Sequence, residues 1–259
     1  PAMTPPLHPL RAKLAAGRTL AGIWSVIPSA PLVGTLAAAG FDFVILDAEH
    51  GGYDFGSLDA AITACEDGGA SPLVRSPGAD AFFIQRALDL GADGVVVPQV
   101  ADEAASARAV AMMHYAPDGT RGYNPFTRGG RYGIAPQPKL AAGYPFSGVM
   151  VESPAAAEHL ERIVELPALD FVYLGIFDYS VALGIPGQVE DPRVTSFIER
   201  SARIVRGAGK AIGTTAMNRA QVDRLAGQGV NVLLYGTDTW IVGRGAREGL
   251  DLYASAERR

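Results

Sequence analysis

The chain repeats one hydrophobic layout four times: "GFDFVILD" from Gly40, "GADGVVVP" from Gly91, "ALDFVYLG" from Ala168 and "GVNVLLYG" from Gly229. Each runs from Gly or a small residue through a short polar step into four mostly β-branched or aliphatic positions. Each stops at Asp, Pro or Gly. The opening Gly suits a helix C-cap, because it takes the left-handed conformation without a Cβ penalty. The apolar run does not alternate, so it predicts a strand buried on both faces, as in a parallel sheet. Between these segments lie helical patterns, "SLDAAITACED" from Ser57, "DAFFIQRALDL" from Asp80 and "DEAASARAVAMMHY" from Asp102. Shorter strand patterns fill the gaps: "AGIWSV" from Ala21, "SPLVR" from Ser71, "GVMVE" from Gly148 and "KAIGTT" from Lys210.

Eight strands, each followed by a helix, predict an α/β fold of the (β/α)8 TIM-barrel type, with the four look-alikes on the even strands. A doubly wound open sheet is the rival. No Gly-rich dinucleotide turn follows the first strand, which weighs against it. There is no composition break or flexible linker, so residues 20–259 read as a single barrel domain behind a lead-in over 1–19. The start, "PAMTPPLHP", lacks the basic-then-apolar layout of a signal peptide and reads as an expression scar ahead of a Pro-rich segment. One stretch fits no period: 116–147 is rich in Gly, Pro, Arg and aromatics. A loop this long is usually functional or disordered, and its Arg and aromatic content favours an ordered contact surface.

Composition narrows the function. Of 259 residues, 48% are hydrophobic, enough for a large core. A net charge of -5 argues against nucleic-acid or anionic-membrane partners. No apolar run approaches the roughly 20 residues of a membrane span. The single cysteine, Cys65, rules out an internal disulfide framework and suits a reducing, cytoplasmic setting.

A barrel of this kind carries its site at the C-terminal ends of its strands. Those ends read Trp24; Asp47, Glu49 and His50; Arg75; Pro98 and Gln99; Glu152; Asp178; Thr214 and Thr215; Tyr235. Glu152 and Asp178 follow consecutive strands and would stand close together. Two neighbouring anions repel unless a proton or cation intervenes. A divalent, oxygen-preferring ion such as Mg²⁺ or Mn²⁺ suits two carboxylates completed by water and substrate. No zinc spacing and no H-E-x-x-H motif is present. Alone, either acid reads as a helix N-terminal cap. Trp24 reads equally as core or as site lining, and Asp47 and Glu49 as supports to backbone or to a metal-bound water. Lys13, Lys139 and Lys210 are the only lysines, and none ends a predicted strand, which weighs against a Schiff-base enzyme.

The motifs "GFDFVILDAEHG", "LVRS", "ALDLGADGVVVPQV", "APDGTRG", "VMVES" and "LGIFDYSVALG" resemble the HpcH/HpaI aldolase family of metal-dependent class II pyruvate aldolases, from about Ala21 to Leu250. The resemblance implies a (β/α)8 barrel, a homo-oligomer (commonly a hexamer, with a trimer as the alternative), and a lyase that makes or breaks bonds to C3 of pyruvate through an enolate. It implies that Glu152 and Asp178 bind a divalent metal (Mg²⁺ or Mn²⁺, with Co²⁺ also suited) that the 2-oxo acid chelates. Arg75 would contact the keto oxygen. His50 would pair with Asp89 in a dyad that handles the aldol hydroxyl proton. Trp24 would line the pocket, and backbone N–H groups around Gly175 to Asp178 would hold the carboxylate.

Two positions depart from the family pattern. Met150 stands where a Gln is usual, two residues before Glu152, and Phe177 puts a large ring where a small side chain is usual. These departures open an alternative, an oxaloacetate-using enzyme that decarboxylates it or condenses it with acetyl-CoA. Related barrels of this type include macrophomate synthase. A third reading is an inactive barrel that binds a small oxo acid as a sensor.

Overall fold

The computed structural model describes residues 8–134 and 137–254. Eight strands close a parallel barrel in sequence order: β1 (Leu20–Ser25), β2 (Phe43–Asp47), β3 (Ser71–Arg75), β4 (Gly94–Val97), β5 (Phe146–Val151), β6 (Phe171–Leu174), β7 (Ala211–Thr215) and β8 (Val232–Thr237). The four look-alike segments are the even strands, as the pattern implies. Gly40, Gly91 and Gly229 adopt φ of +101°, +98° and +91°, the left-handed turn expected before β2, β4 and β8.

The helices are α1 (Pro9–Ala15), α2 (Ala30–Ala38), α3 (Phe55–Asp67), α4 (Ala81–Asp89), α5 (Glu103–Ala111), α6 (Pro154–Glu158), α7 (Leu160–Ile163), α8 (Ile176–Ala182), α9 (Pro192–Gly207), α10 (Arg219–Gly227) and α11 (Asp238–Ala254). In α9, Val194, Phe197, Ile198, Ser201, Ala202 and Val205 are buried, one stripe at helical spacing. The lead-in is partly structural. His8 caps α1, and Leu10 is fully buried in the barrel interior beside Leu20, Phe43, Phe146 and Phe171. Residues 1–7, which carry most of the supposed scar, lie outside the described residues.

Period-two alternation sets the interior. Phe43, Ile45 and Asp47 share one face of β2, as Leu73 and Arg75 do on β3 and Phe146, Gly148 and Met150 on β5. Gly22 and Gly148 serve space. A Cβ on Gly22 would come within 2.1 Å of the Phe43 ring, and one on Gly148 within 2.9 Å of Phe171. Large rings from β2, β5 and β6 thus fill the barrel while Gly22 and Gly148 make room for them. The top of the same inward rows carries the charged residues.

The aperiodic loop is ordered around ion pairs. Arg128 binds Glu66 and the Leu90 carbonyl (2.8 Å to the latter), and Lys139 binds Glu66 and Asp93 (2.7 Å to the latter). These contacts tie the loop to the C-terminal ends of α3 and α4. Tyr123, Phe126, Tyr132 and Ile134 remain exposed on it. Among the described residues no helix is long and apolar enough to cross a membrane.

Candidate active site

Asp47, the last residue of β2, organises one side of the barrel mouth. Its Oδ1 accepts hydrogen bonds from the backbone N–H groups of Glu49 (3.0 Å) and His50 (3.2 Å), which fixes the turn carrying both. The same carboxylate accepts from Arg75 Nε (2.8 Å) and Nη2 (2.5 Å), a bidentate pair across adjacent strands. Glu49 Oε2 lies 3.1 Å from Arg75 Nη1. The guanidinium also stacks on Trp24, 4.5 Å from the ring centroid. Burial opposes the charged form of Arg75, but the hydrogen bonds and negative charge of Asp47, with Glu49, outweigh it and hold the group protonated. The structure therefore gives Asp47 and Glu49 a supporting part: they aim a cation. Trp24 is both core and lining, 6% exposed in the interior cluster and at the cavity wall.

Glu152 follows β5 directly. Burial raises its carboxyl from 4.5 to about 7; the Gln99 N–H opposes this, while the charges of Asp178 and Glu49 add to it. Asp178 sits in the first turn of α8, just past β6, and lines the cavity. The two acids are thus near enough to repel. Gly175 gives the Glu152 side chain its place, since a Cβ there would fall 2.5 Å from Glu152 Oε2. Neither acid has an ion-pair partner among the described residues. No group of three or more His, Cys, Asp or Glu side chains gathers as a metal cage among them either. Two carboxylates without a cation, one of them buried, fit an oxygen-liganded divalent ion whose shell is completed by water and substrate. No side chain caps the first N–H groups of α8 after Gly175.

Gln99 was legible as a strand-end residue but not as part of this network. Its φ is +56°, unusual for a residue with a side chain. That conformation lets its N–H donate to Glu152 Oε1 (2.5 Å) while its side-chain amide donates to Glu49 Oε1 (2.7 Å). It links the acid on β5 to the turn after β2. Met150 has its sulfur 3.9 Å from Arg75 Nη1, a weak acceptor where an amide would be a strong one.

A cavity of about 460 Å³ opens at this mouth, lined by Trp24, His50, Arg75, Gly175, Phe177 and Asp178 among others. Phe177 is 47% exposed and leaves the cavity open. Tyr173, Met217, Gly236 and Trp240 also line it. Tyr173 was within reach of the period-two rule. Trp240 comes from α11, and no strand-end reading reaches it. Two strand-end expectations fall elsewhere: Thr214 is fully buried and donates to the Leu174 carbonyl, and Tyr235 meets Arg244 (3.2 Å) and the Trp240 ring.

The expected dyad of His50 and Asp89 is not brought together within the chain. Asp89 accepts from Arg121 Nη2 (2.8 Å), and the Arg121 side chain is 1% exposed. His50 has Glu49 as its ionic neighbour, at 3.9 Å. The dyad is what the family motif implies, and spacing along the chain carries no information about which cation the neighbouring loop delivers. The three lysines sit away from the cavity: Lys13 pairs with Asp42, Lys139 with Asp93, and Lys210 donates to the carbonyls of Leu166 and Pro167. A larger cavity, about 580 Å³, lies under the long loop beside Glu66, Arg128 and Lys139, with none of the site residues in its wall.

A family model for HpcH/HpaI aldolase/citrate lyase matches residues 20–243. The chain belongs to the HpcH/HpaI aldolase/citrate lyase family. It is 30% identical over 242 residues to a pyruvate aldolase of Rhizobium etli, covering 93% of this chain and 95% of that protein. It is 34% identical over 248 residues to a 4-hydroxy-2-oxovalerate aldolase of Rhodococcus jostii, covering 93% and 94%. The crystal structure of the citrate synthase SbnG superposes with a TM-score of 0.86 at 26% identity, over 96% of this chain and 99% of that one. The HpcH/HpaI match spans every strand of the barrel and ends inside α11.

Proposed function

We propose that this HpcH/HpaI family member is a divalent-metal-dependent carbon–carbon lyase that cleaves or forms the bond to C3 of pyruvate in a 4-hydroxy-2-oxo acid. One observation carries the reading: Glu152 and Asp178 lie at consecutive strand ends, close enough to repel, with no cation on either and Arg75 fixed nearby. A divalent cation held there, Mg²⁺ or Mn²⁺, supplies Lewis-acid polarisation of the keto acid. Arg75, locked by Asp47 and stacked on Trp24, presents its remaining N–H donors to the keto oxygen as that oxygen gains charge. Its position is set before substrate arrives, so little reorganisation opposes the step. In cleavage, His50 at the mouth accepts the proton of the C4 hydroxyl as the C3–C4 bond breaks. The bonding electrons pass to the pyruvate fragment and the aldehyde leaves. A proton then returns to C3. In this reading Asp89 anchors Arg121 and its loop.

The test is pyruvate release from a 4-hydroxy-2-oxo acid with and without EDTA. Activity is expected to vanish on chelation, return with Mn²⁺, and fall at least a thousandfold in Glu152→Ala. Activity indifferent to both overturns the mechanism.

The second reading, an oxaloacetate-using enzyme, is favoured by Met150 at the Arg75 guanidinium and by the likeness to a citrate synthase. Release of CO₂ from oxaloacetate above a metal-only blank, or citrate on adding acetyl-CoA, distinguishes it. The working form is a homo-oligomer, a reading supported by the exposed apolar residues of α11.

A further inference from the structure

The cavity wall limits which aldehyde can join or leave the pyruvate fragment. We propose that the acceptor is an uncharged aldehyde with an apolar tail of aromatic size; this deepens the lyase reading and rests on it. Six lining side chains are aromatic or thioether: Trp24, Met150, Tyr173, Phe177, Met217 and Trp240. Arg75 is the only Lys or Arg among the lining residues, and Asp47 and Glu49 already hold it. Two further arginines stand near the wall and each is already paired: Arg224, behind Phe177 and Met217, with Glu190 (2.9 Å), and Arg244, 5.5 Å from the Trp240 ring, with Glu248 (2.7 Å).

A carboxylate on the acceptor would therefore enter without a counter-ion. It would also meet Asp178 in the wall, with Glu152, Glu49 and Asp47 behind it, and one arginine and one divalent cation do not outnumber these acids once the keto acid adds its own charge. Burying an unpaired charge is costly. A polyhydroxylated tail finds few free partners for another reason. The Tyr173 hydroxyl already shares hydrogen bonds with Thr215 Oγ1 (2.7 Å) and Trp24 Nε1 (3.3 Å), and Thr237 Oγ1 with Thr239 Oγ1 (2.8 Å). The wall's hydroxyls are already engaged with neighbours, which leaves fewer open sites for those of a ligand. An apolar tail needs no such partner and gains from leaving water. Gly236 helps to shape this wall. Its φ is +55°, and a Cβ there would press to 3.2 Å on Trp240, so glycine lets the indole lie against the end of β8.

The full chain with Mn²⁺ and pyruvate is offered benzaldehyde, succinic semialdehyde or glyceraldehyde, and the condensation product is followed by chromatography. The kcat/KM for benzaldehyde is expected to exceed each of the others at least tenfold. A value for either polar aldehyde equal to or above that for benzaldehyde overturns the proposal. Exchange of the pyruvate methyl protons with D₂O, read by NMR on the same enzyme, separates two failures. Exchange without the benzaldehyde preference sinks the acceptor inference alone. No exchange and no condensation sinks the lyase reading and this inference with it. Phe177→Arg, at a half-exposed helix position, is expected to shift the ratio of succinic semialdehyde to benzaldehyde turnover at least tenfold toward the acid. That ratio does not depend on the fraction of folded enzyme, and no shift overturns the placement of Phe177 on the acceptor wall.

Discussion

Glu152 is 8% exposed, and burial lifts its carboxyl from 4.5 to about 7. The folded metal-free chain thus holds a proton that the unfolded chain releases near 4.5. Its contribution to stability is full below pH 4.5 and is lost as pH rises through about 7. The loss is at most about 3 kcal/mol. A divalent cation takes over where the proton leaves, so Mn²⁺ should raise the Tm more at pH 8 than at pH 5.5. Thermal melts at the two pH values check this, and Glu152→Gln should remove most of the difference. A larger Mn²⁺ shift at the lower pH contradicts the assignment. At this scale the sequence was informative wherever alternation continues past a strand end. Asp47, Arg75 and Glu152 follow from counting by two along β2, β3 and β5. Gln99 does not, because its reach depends on a left-handed backbone that its residue type does not announce.

The loop after α5 shows what an element needs when periodicity is absent. Arg121 buries its side chain, stacks over Tyr115 (4.8 Å) and leans on Asp89 from the end of α4. Removing one member of a buried ion pair leaves the other uncompensated. Asp89→Ala is therefore expected to cost about 3 kcal/mol in urea unfolding. A change within about 0.5 kcal/mol, the range of ordinary surface substitutions, would return Asp89 to consideration as a partner of His50. Asp238 is a second case. It is fully buried at the start of α11, and its carboxylate accepts from Ser25 Oγ (2.8 Å) and from the N–H groups of Val26 (3.0 Å) and Ile27 (3.0 Å). It ties the loop after β1 to the last helix. An Asp opening a helix reads in the sequence as an ordinary cap, and nothing there points to the far end of the chain.

Across the whole molecule, α11 stands apart from the other long helices. Over Asp238–Ala254 only Asp238 is buried, while Val242, Leu250 and Tyr253 are 49%, 69% and 75% exposed. Trp240 and Ile241 pack inward, but the apolar side chains further along the helix face outward and need another surface, which in the proposed homo-oligomer a second copy of the chain would supply. Light scattering is expected to give a mass that is a multiple of 27.1 kDa. Leu250→Glu should shift it toward the monomer, because the charge would have to be buried in the interface. A monomeric wild-type chain overturns the homo-oligomer reading.

The sequence by itself determined the barrel, its strand order and the row of charged residues at the mouth. Those features rest on local periodicity: a residue two positions along a strand faces the same way whatever surrounds it. It also carried enough motif for the family to be legible. Tertiary structure decided which charge each residue meets. Asp47 takes Arg75, Arg121 takes Asp89, Gln99 joins Glu49 to Glu152, and Trp240 closes a cavity that begins more than 200 residues earlier at Trp24. Such pairings depend on distances through space between elements, and the order of residues along a chain does not encode them until the barrel closes.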